Sequence, residues 1–412
     1  MTELPTLDAG SAVAGYSPRV LMVAPTPFFA DRGCHVRIYE EARALQALGC
    51  TVEVVTYHLG GDRPGVKAHR TPRIPWYNKL SAGPSWHKLY IDVLLVWKTF
   101  VVARRFGPDV IHGHLHEGAA IGWAVGRLLA AASFGRRRVP LVGDFQGSLS
   151  GEMKEHRFIS ERGRLYKVIA RNEGWIDRLP HVAVASCGDV ADELRERFGV
   201  GDVVLALDGV DVDVFRPGPA PADLAHLVPA GRRAVVYLGH LSGYQGVDHL
   251  LEAVPLVRRR VPEAYFVVMG YPNVEHYRAA AERMGIAADV AFPGRIDYDR
   301  AACYLALGEV AVGPKLSQTE SNGKLYNYMA CALPAVAFDT PPSREILGDL
   351  GVYADRGDVA GLADAIAGLL ENPGAARRLG VQLRERVIEH FSWQQTARQL
   401  LVAYERATRA KP

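Results

Sequence analysis

Cysteine is scarce and unpatterned in this chain: five residues, at positions 34, 50, 187, 303 and 331, with no CxxC pair. An odd, scattered set excludes a disulfide framework and a zinc-finger module, and it suits reduced thiols in a cytoplasmic protein. Charge of one sign is equally lacking. The formal net charge is +3, and the arginine runs at 136–138 and 258–260 are short, so no nucleic-acid-binding stripe is expected. Long apolar runs are missing too. Ile91–Val102 is the most apolar helical stretch, but Asp92 and Lys98 interrupt it and it is too short to span a bilayer. The first eighteen residues carry two acids, no Lys or Arg and no apolar run, which excludes a signal peptide there. Residues 1–17 read as a disordered leader.

Several catalytic signatures are absent as well. No GxGxxG follows the first strand and no Walker P-loop occurs anywhere, which argues against dinucleotide binding and an ordinary NTPase. Gly147-Ser148-Leu149-Ser150-Gly151 puts Leu149 where a hydrolase would need its nucleophile.

What remains is a globular α/β pattern long enough for two domains. Apolar strands alternate with helices from Arg19 onward: strand 20–24, helix 33–48, strand 51–57, helix 86–105, strand 109–114, helix 118–132. Strand 140–145, helix 161–178, strand 181–186, helix 188–198 and strand 203–207 follow. The Gly/Pro/Asp-rich segment 207–223 reads as a hinge, after which the rhythm restarts. The expectation is two doubly wound Rossmann-like domains facing across a cleft. Residues 18–207 would form the first, 208–390 the second, and a helix over 391–412 would cross back.

Ligands of such sheets bind beyond the carboxyl ends of the strands, and four strand-end features stand out there. Asp31-Arg32-Gly33 opens the first helix, and Gly33 permits close backbone approach to a ligand. His112, His114 and His116 alternate along an extended segment and would share one face. Zinc is conceivable for them, but no fourth ligand at a helpful spacing is evident, so hydrogen bonding is preferred and no metal is expected. The loop from Gly239 to Asp248 is glycine-rich, with His240 and Gln245 as donors. In Pro314–Pro334 a loose polar stretch containing Glu320 runs into a helix at Lys324, which offers free amides to an anion. Each of these features also has a plain structural reading, as a turn, a polar strand end or a capped helix.

Taken together and in order, PTPFFADRGCHVRIYEEARAL, TPRIPWYNK, PDVIHGHLHE, LDGVDVDVFRP, GYQGVDHLLEAVP and TESNGKLYNYMACALPAVAFDTPPSREILGDLGVYADRGD, with a terminal FSW, carry a resemblance. Over about Arg19 to Tyr404 the chain resembles the retaining nucleotide-sugar glycosyltransferases of the GT-B fold, family 4. The resemblance implies hexosyl transfer from a UDP- or GDP-sugar, with the nucleotide-diphosphate sugar as co-substrate and no cofactor or metal. It implies that Gly33 lets amides reach the donor phosphate and that His114 touches the donor sugar. Glu320 would grip sugar hydroxyls, and the amides of Asn322, Gly323, Lys324 and Leu325 would cradle the pyrophosphate. Arg295 would lie at the nucleotide base. Acceptor contacts would come from loops around 57–90 and 143–160, with Asp144 and Gln146 among them.

Two departures bear on the chemistry. His240 and Gln245 stand where family members carry Arg and Lys, and the second acid of the family's motif falls on Asn327. Lys324 is expected to supply the lost charge, with Arg32 from the other side. Two rival functions share the pattern: a sugar-nucleotide 2-epimerase, and a catalytically idle nucleotide-binding partner of another transferase. The acceptor is open. The aromatic and basic stretch Trp76–Lys88 suits a lipid-linked acceptor and peripheral contact with the inner face of a membrane.

Overall fold

The computed structural model describes residues 15–29, 33–77, 87–148, 150, 164–318 and 320–410. The chain divides into two compact units, one running to Asp208 and taking in the chain from Trp393 onward, the other spanning Gly209–Ser392. The expected leader lies largely outside the described residues.

The first unit runs β1 (Arg19–Ala24), α1 (Gly33–Ala47), β2 (Thr51–Thr56), β3 (Lys67–Arg70), α2 (His87–Phe106), β4 (Val110–His114), α3 (Leu115–Ala132) and β5 (Leu141–Phe145). Then come α4 (Arg164–Ile176), β6 (Val182–Ala185), α5 (Gly188–Asp192) with a π turn at Glu193–Arg197, and β7 (Val203–Leu205). The strands form one sheet in the order β3-β2-β1-β4-β5-β6-β7, and every pairing is parallel. Central strands are continuous apolar runs because helices cover both faces: Val20 to Ala24 are all fully buried. Strand β3 was not expected, because KAHR has no apolar alternation. It is an edge strand, and its charges are its protection: Lys67 and His69 both pair with Glu53 on β2.

Helix α3 starts three residues earlier than the sequence suggests. Leu115 takes a positive φ of 60°, so strand passes into helix without a loop. That overturns the expectation that three histidines share a face. His112 and His114 stay on the strand, with rings stacked 4.2 Å apart, while His116 turns away on the helix.

The second unit holds β8 (Arg233–His240), α6 (Val247–Arg260), β9 (Ala264–Tyr271), α7 (Val274–Arg283), β10 (Val290–Gly294), α8 (Ala301–Leu305) and β11 (Val310–Gly313). It continues with α9 (Lys324–Ala330), β12 (Ala335–Phe338), α10 (Pro341–Leu347), β13 (Val352–Ala354), α11 (Val359–Glu371) and α12 (Pro373–His390). Its sheet order is β10-β9-β8-β11-β12-β13, again all parallel. Helix α10 was missed, although Thr340-Pro341 is a cap followed by proline at the first helical position, and Thr340 does accept from the Ser343 amide.

The last helix, α13 (Trp393–Arg409), groups with the first unit. Its Tyr404 hydroxyl meets His112 Nδ1 at 2.7 Å. Of the expected hinge 207–223, the part beyond Gly209 is built into the second unit. Val210 bridges Ser392, Phe215 is fully buried, and Arg384 donates to the carbonyls of Phe215 and Val212.

Both sheets reverse their winding order once, between β1 and β4 and between β8 and β11. Loops leaving neighbouring strands diverge at such a point and leave a crevice. His114, His240, Gln245, Glu320 and Lys324 follow or end strands at these points, whereas Arg295 follows the edge strand β10.

Candidate functional site

In the first unit the switch point brings together the ends of β4 and β5 and one face of α1. Arg37, Glu41, His112, His114 and Asp144 are all at most 2 % exposed. Arg37 is the hub. Its Nε and Nη2 donate to the two oxygens of Asp144 at 2.9 and 3.1 Å, and Nη1 donates to Asp208 at 2.7 Å. Glu41 Oε1 also lies 2.9 Å from Arg37 Nε, yet neither Glu41 oxygen has a hydrogen bond among the described residues. Nε carries one hydrogen, and that hydrogen points at Asp144.

The protonation states follow from this geometry. Burial alone would raise Asp144, but Arg37 and His114 outweigh it and hold the acid far below its usual range. Burial dominates at Glu41 and pushes its acid well up, because Arg37 is already engaged. His114 Nδ1 sits 3.1 Å from Asp144 Oδ2, and burial lowers the ring's basicity. The neutral ring that donates through Nδ1 leaves Nε2 as an acceptor, and Nε2 has no partner among the described residues. Glu41, His112, His114 and Asp144 lie close enough to hold a metal ion. The Arg37 guanidinium already bonds Asp144 and stands against Glu41, so these acids are balanced by a resident cation.

Asp144, expected on the acceptor side, therefore has its carboxylate committed to Arg37 and His114. Gln146 leans on it at 3.4 Å. Gly33 is the first residue of α1, and a Cβ built there would meet nothing within 4 Å. No contact among the described residues demands glycine at this position. Arg32 lies outside the described residues. Sequence reasoning missed Arg37, Glu41 and Tyr404; Arg37 and Glu41 carry a legible i,i+4 signal, whereas nothing local marks Tyr404.

In the second unit the loop after β8 and the stretch after β11 meet. Gly246, at φ 76°, is where the two backbones touch: a Cβ there would stand 1.8 Å from the Pro314 carbonyl oxygen. This contact sets Gln245 beside Lys324. Lys324 Nζ donates to Gln245 Oε1 at 2.6 Å and to Asn322 Oδ1 at 3.0 Å, and it lies 5.5 Å from the centre of the Tyr237 ring. Asn322 is itself pinned, donating to the Gly313 carbonyl at 2.9 Å. Lys324 is half-buried. Burial first and repulsion from Lys315 second hold it well below the usual lysine range, against the pull of Glu320.

Lys315 is the cation that sequence reasoning overlooked. It is 5 % exposed, pairs with Glu320 Oε2 at 2.6 Å and donates to the Ser321 carbonyl at 2.9 Å. The signal was available, since Pro-Lys directly follows an apolar strand at the switch point. The expected amide cradle is smaller than supposed. The Leu325 amide is bonded to the Asn322 carbonyl at 2.9 Å, which leaves the turn from Asn322 to Lys324 at the front. Asn327 follows on α9, partly exposed. His240 sits at the end of β8, its Nδ1 3.0 Å from Ser242 Oγ. Arg295 is exposed, its guanidinium 5.2 Å above the Tyr271 ring.

No helix among the described residues is long and apolar enough to cross a membrane. Trp76 is 74 % exposed, and Tyr90, Val93 and Trp97 make an exposed apolar stripe on α2. Of the aromatic and basic stretch read as a lipid contact, residues 78–86 lie outside the described residues.

Comparison with known proteins agrees with this geometry. Residues 32–214 match the family model described as Glycosyltransferase Family 4, and residues 232–372 match that of Glycosyl transferases group 1. The chain is 27 % identical to a glycogen synthase of Mycobacterium tuberculosis over 95 % of its own length and 96 % of that protein's. A GDP-mannose-dependent alpha-(1-6)-phosphatidylinositol monomannoside mannosyltransferase of Mycolicibacterium smegmatis is 32 % identical, over 45 % of this chain and 51 % of the relative. Among solved structures, a sucrose-phosphate synthase of Thermosynechococcus elongatus superposes with a TM-score of 0.77 at 20 % identity, covering 95 % of this chain and 100 % of that one. With both halves matched in order, and two parallel Rossmann-like sheets beneath them, the chain belongs to the family 4, group 1 glycosyltransferases of the GT-B fold.

Proposed function

We propose that this glycosyltransferase moves a hexosyl unit from a UDP- or GDP-hexose to an acceptor hydroxyl with retention at the anomeric carbon. The observation that carries the reading is the pair of lysines in the second unit: Lys315 is taken by Glu320, while Lys324 is held only by the neutral carbonyls of Gln245 and Asn322. Lys324 takes the place of the cations absent from the His240–Gln245 loop, and Gln245 aims it. In the reaction the bond from the anomeric carbon to the diphosphate oxygen breaks, and its electron pair stays on that oxygen. The acceptor oxygen bonds the anomeric carbon on the same face, and its proton passes to the leaving phosphate. An ammonium held in a preformed setting stabilises the charge that grows on the leaving group, and no metal is required for that task.

Glu320, neutralised by Lys315, accepts hydrogen bonds from hydroxyls of the transferred sugar. The turn Asn322–Lys324 meets the diphosphate, Asn327 the ribose, and Arg295 with His240 the rest of the nucleotide. His114 keeps Nε2 for a sugar hydroxyl; Gly33 leaves room for the donor, and Arg32 adds charge. Tyr90, Val93 and Trp97 support work at the cytoplasmic face of a membrane on a lipid-linked acceptor.

The test is a panel of UDP-, GDP- and ADP-hexoses incubated with the pure protein and followed by NMR. Slow release of one nucleoside diphosphate with free hexose is expected. A new sugar nucleotide formed without acceptor would make the protein an epimerase; no turnover and no thermal shift with any nucleotide would make it an idle partner. Sedimentation with anionic vesicles, reduced by Val93→Glu with Trp97→Glu, checks the membrane face.

A further inference from the structure

The first unit contains a second buried cluster, which shares no residue with the first and is unused by the transfer chemistry. His116 opens α3. Glu173 lies on α4, and Asp177, one turn later, closes it, with the Asp177 amide on the Glu173 carbonyl at 2.9 Å. His116 Nε2 is 3.6 Å from Glu173 Oε1 and 3.4 Å from Asp177 Oδ1, with side-chain exposures of 9, 1 and 1 %. The three line a small cavity closed by Phe145, Ser148, Glu193 and Leu194.

Three features point to a missing ligand. Both Asp177 oxygens are without a hydrogen-bond partner among the described residues, which is costly for a carboxylate this buried. Charge is unbalanced, since among the described residues His116 is the only basic group lining the cavity beside Glu173, Asp177 and Glu193, and Arg197 pairs with Glu193. The spacing is also telling. Separations of 3.4 and 3.6 Å exceed a good N–H···O hydrogen bond, about 2.7–3.2 Å. They match the edge of a tetrahedron around an ion whose bonds are about 2.0–2.2 Å, which is about 3.3–3.6 Å.

We propose that His116 Nε2, Glu173 Oε1 and the Asp177 carboxylate form a binding site for one divalent transition-metal ion of the zinc class. An imidazole with two carboxylates suits zinc or cobalt, whereas magnesium prefers oxygen and water alone. The chain has already oriented one ligand: the Ser150 amide donates to Glu173 Oε2 at 3.0 Å and Ser148 Oγ to Oε1 at 3.0 Å. Such support from behind is what a metal-bound carboxylate receives. The ion fastens the start of α3 to the end of α4 and replaces the proton that a buried Asp177 otherwise keeps, its acid being pushed up to about 8 by burial and by Glu173 and Glu193.

The test uses the full chain, stripped with a chelator and titrated with Zn²⁺ by calorimetry and with Co²⁺ by visible absorption. One equivalent of Zn²⁺ binding, Co²⁺ bands of a low-coordinate site and a raised melting temperature are expected. Asp177→Asn and Glu173→Gln should each weaken binding by at least about tenfold, while Glu371→Gln on the second unit changes nothing. Asp177→Asn keeps the shape and puts a neutral amide where the metal-free protein has a mostly protonated acid, so the metal-free variant should melt no lower than the parent. If both carboxylate variants fail to fold, His116→Gln titrated in the same way decides. No Zn²⁺ binding, unchanged affinity in the variants, or displacement by a tenfold excess of Mg²⁺ would overturn the site.

Discussion

The two switch points are built alike and charged differently. In the first unit Arg37 lies among three carboxylates and bonds two of them, so the positive charge is spent inside the protein. In the second, Lys324 is held by two neutral side-chain carbonyls, and the one carboxylate nearby is taken by Lys315. A saturated cluster fixes geometry, here the tautomer and aim of His114. A cation held only by neutral groups is ready for an anion, because its electrostatic partner has yet to arrive. The cluster at the first switch point is therefore a rigid mount, whereas Lys324 at the second is what the proposed function assigns to the diphosphate.

The sharpest break of this comparison is Arg37→Met. It should destabilise the chain by about 3–5 kcal/mol, since it leaves Asp144 and Asp208 without their charge partner; urea unfolding measures it, and a loss under 1 kcal/mol would show the first cluster is not a mount. Lys324→Ala should do the reverse, leaving the unfolding midpoint nearly unchanged while turnover falls about a hundredfold. Equal activity in Lys324→Ala and the parent would remove that assignment.

Within the first cluster the two acids should part company. Asp144 is ionised in the fold, so its contribution to stability is complete at neutral pH. It is lost as pH falls below about 4, where the unfolded chain takes up a proton that folded Asp144 refuses. Asp144→Asn should cost stability at pH 7 and flatten that acid slope. Glu41 has the opposite sign: its raised acid keeps a proton in the fold, so its contribution falls as pH rises above about 4, the unfolded value. Glu41→Gln should match the parent at acid pH and equal or exceed it at pH 8, as pH-dependent denaturant unfolding will show.

The smallest effect is a proton. The ammonium of Lys324 is lowered by burial and by Lys315, and a bound diphosphate restores it. Binding of UDP or GDP should take up protons, and affinity should weaken with rising pH between the lowered value and the ordinary lysine value of about 10.4. Calorimetry in buffers of different ionisation enthalpy reads this directly, and the uptake should vanish in Lys324→Ala.

The sequence by itself determined the two-fold α/β rhythm, because central parallel strands are apolar runs and helices carry a different period. Its pattern also put His114 at a strand end and Lys324 at the helix mouth that follows another, and the fold has them there. Edge strand β3 stayed hidden because an exposed edge needs charge, not alternation. Tertiary structure alone decided the partnerships. Tyr404 reaches His112 across 292 residues, and Gln245 meets Lys324 across 79. Whether a buried charge is saturated or waiting depends on which distant groups the fold sets beside it, and that is how tertiary structure assigned different roles to Arg37 and Lys324.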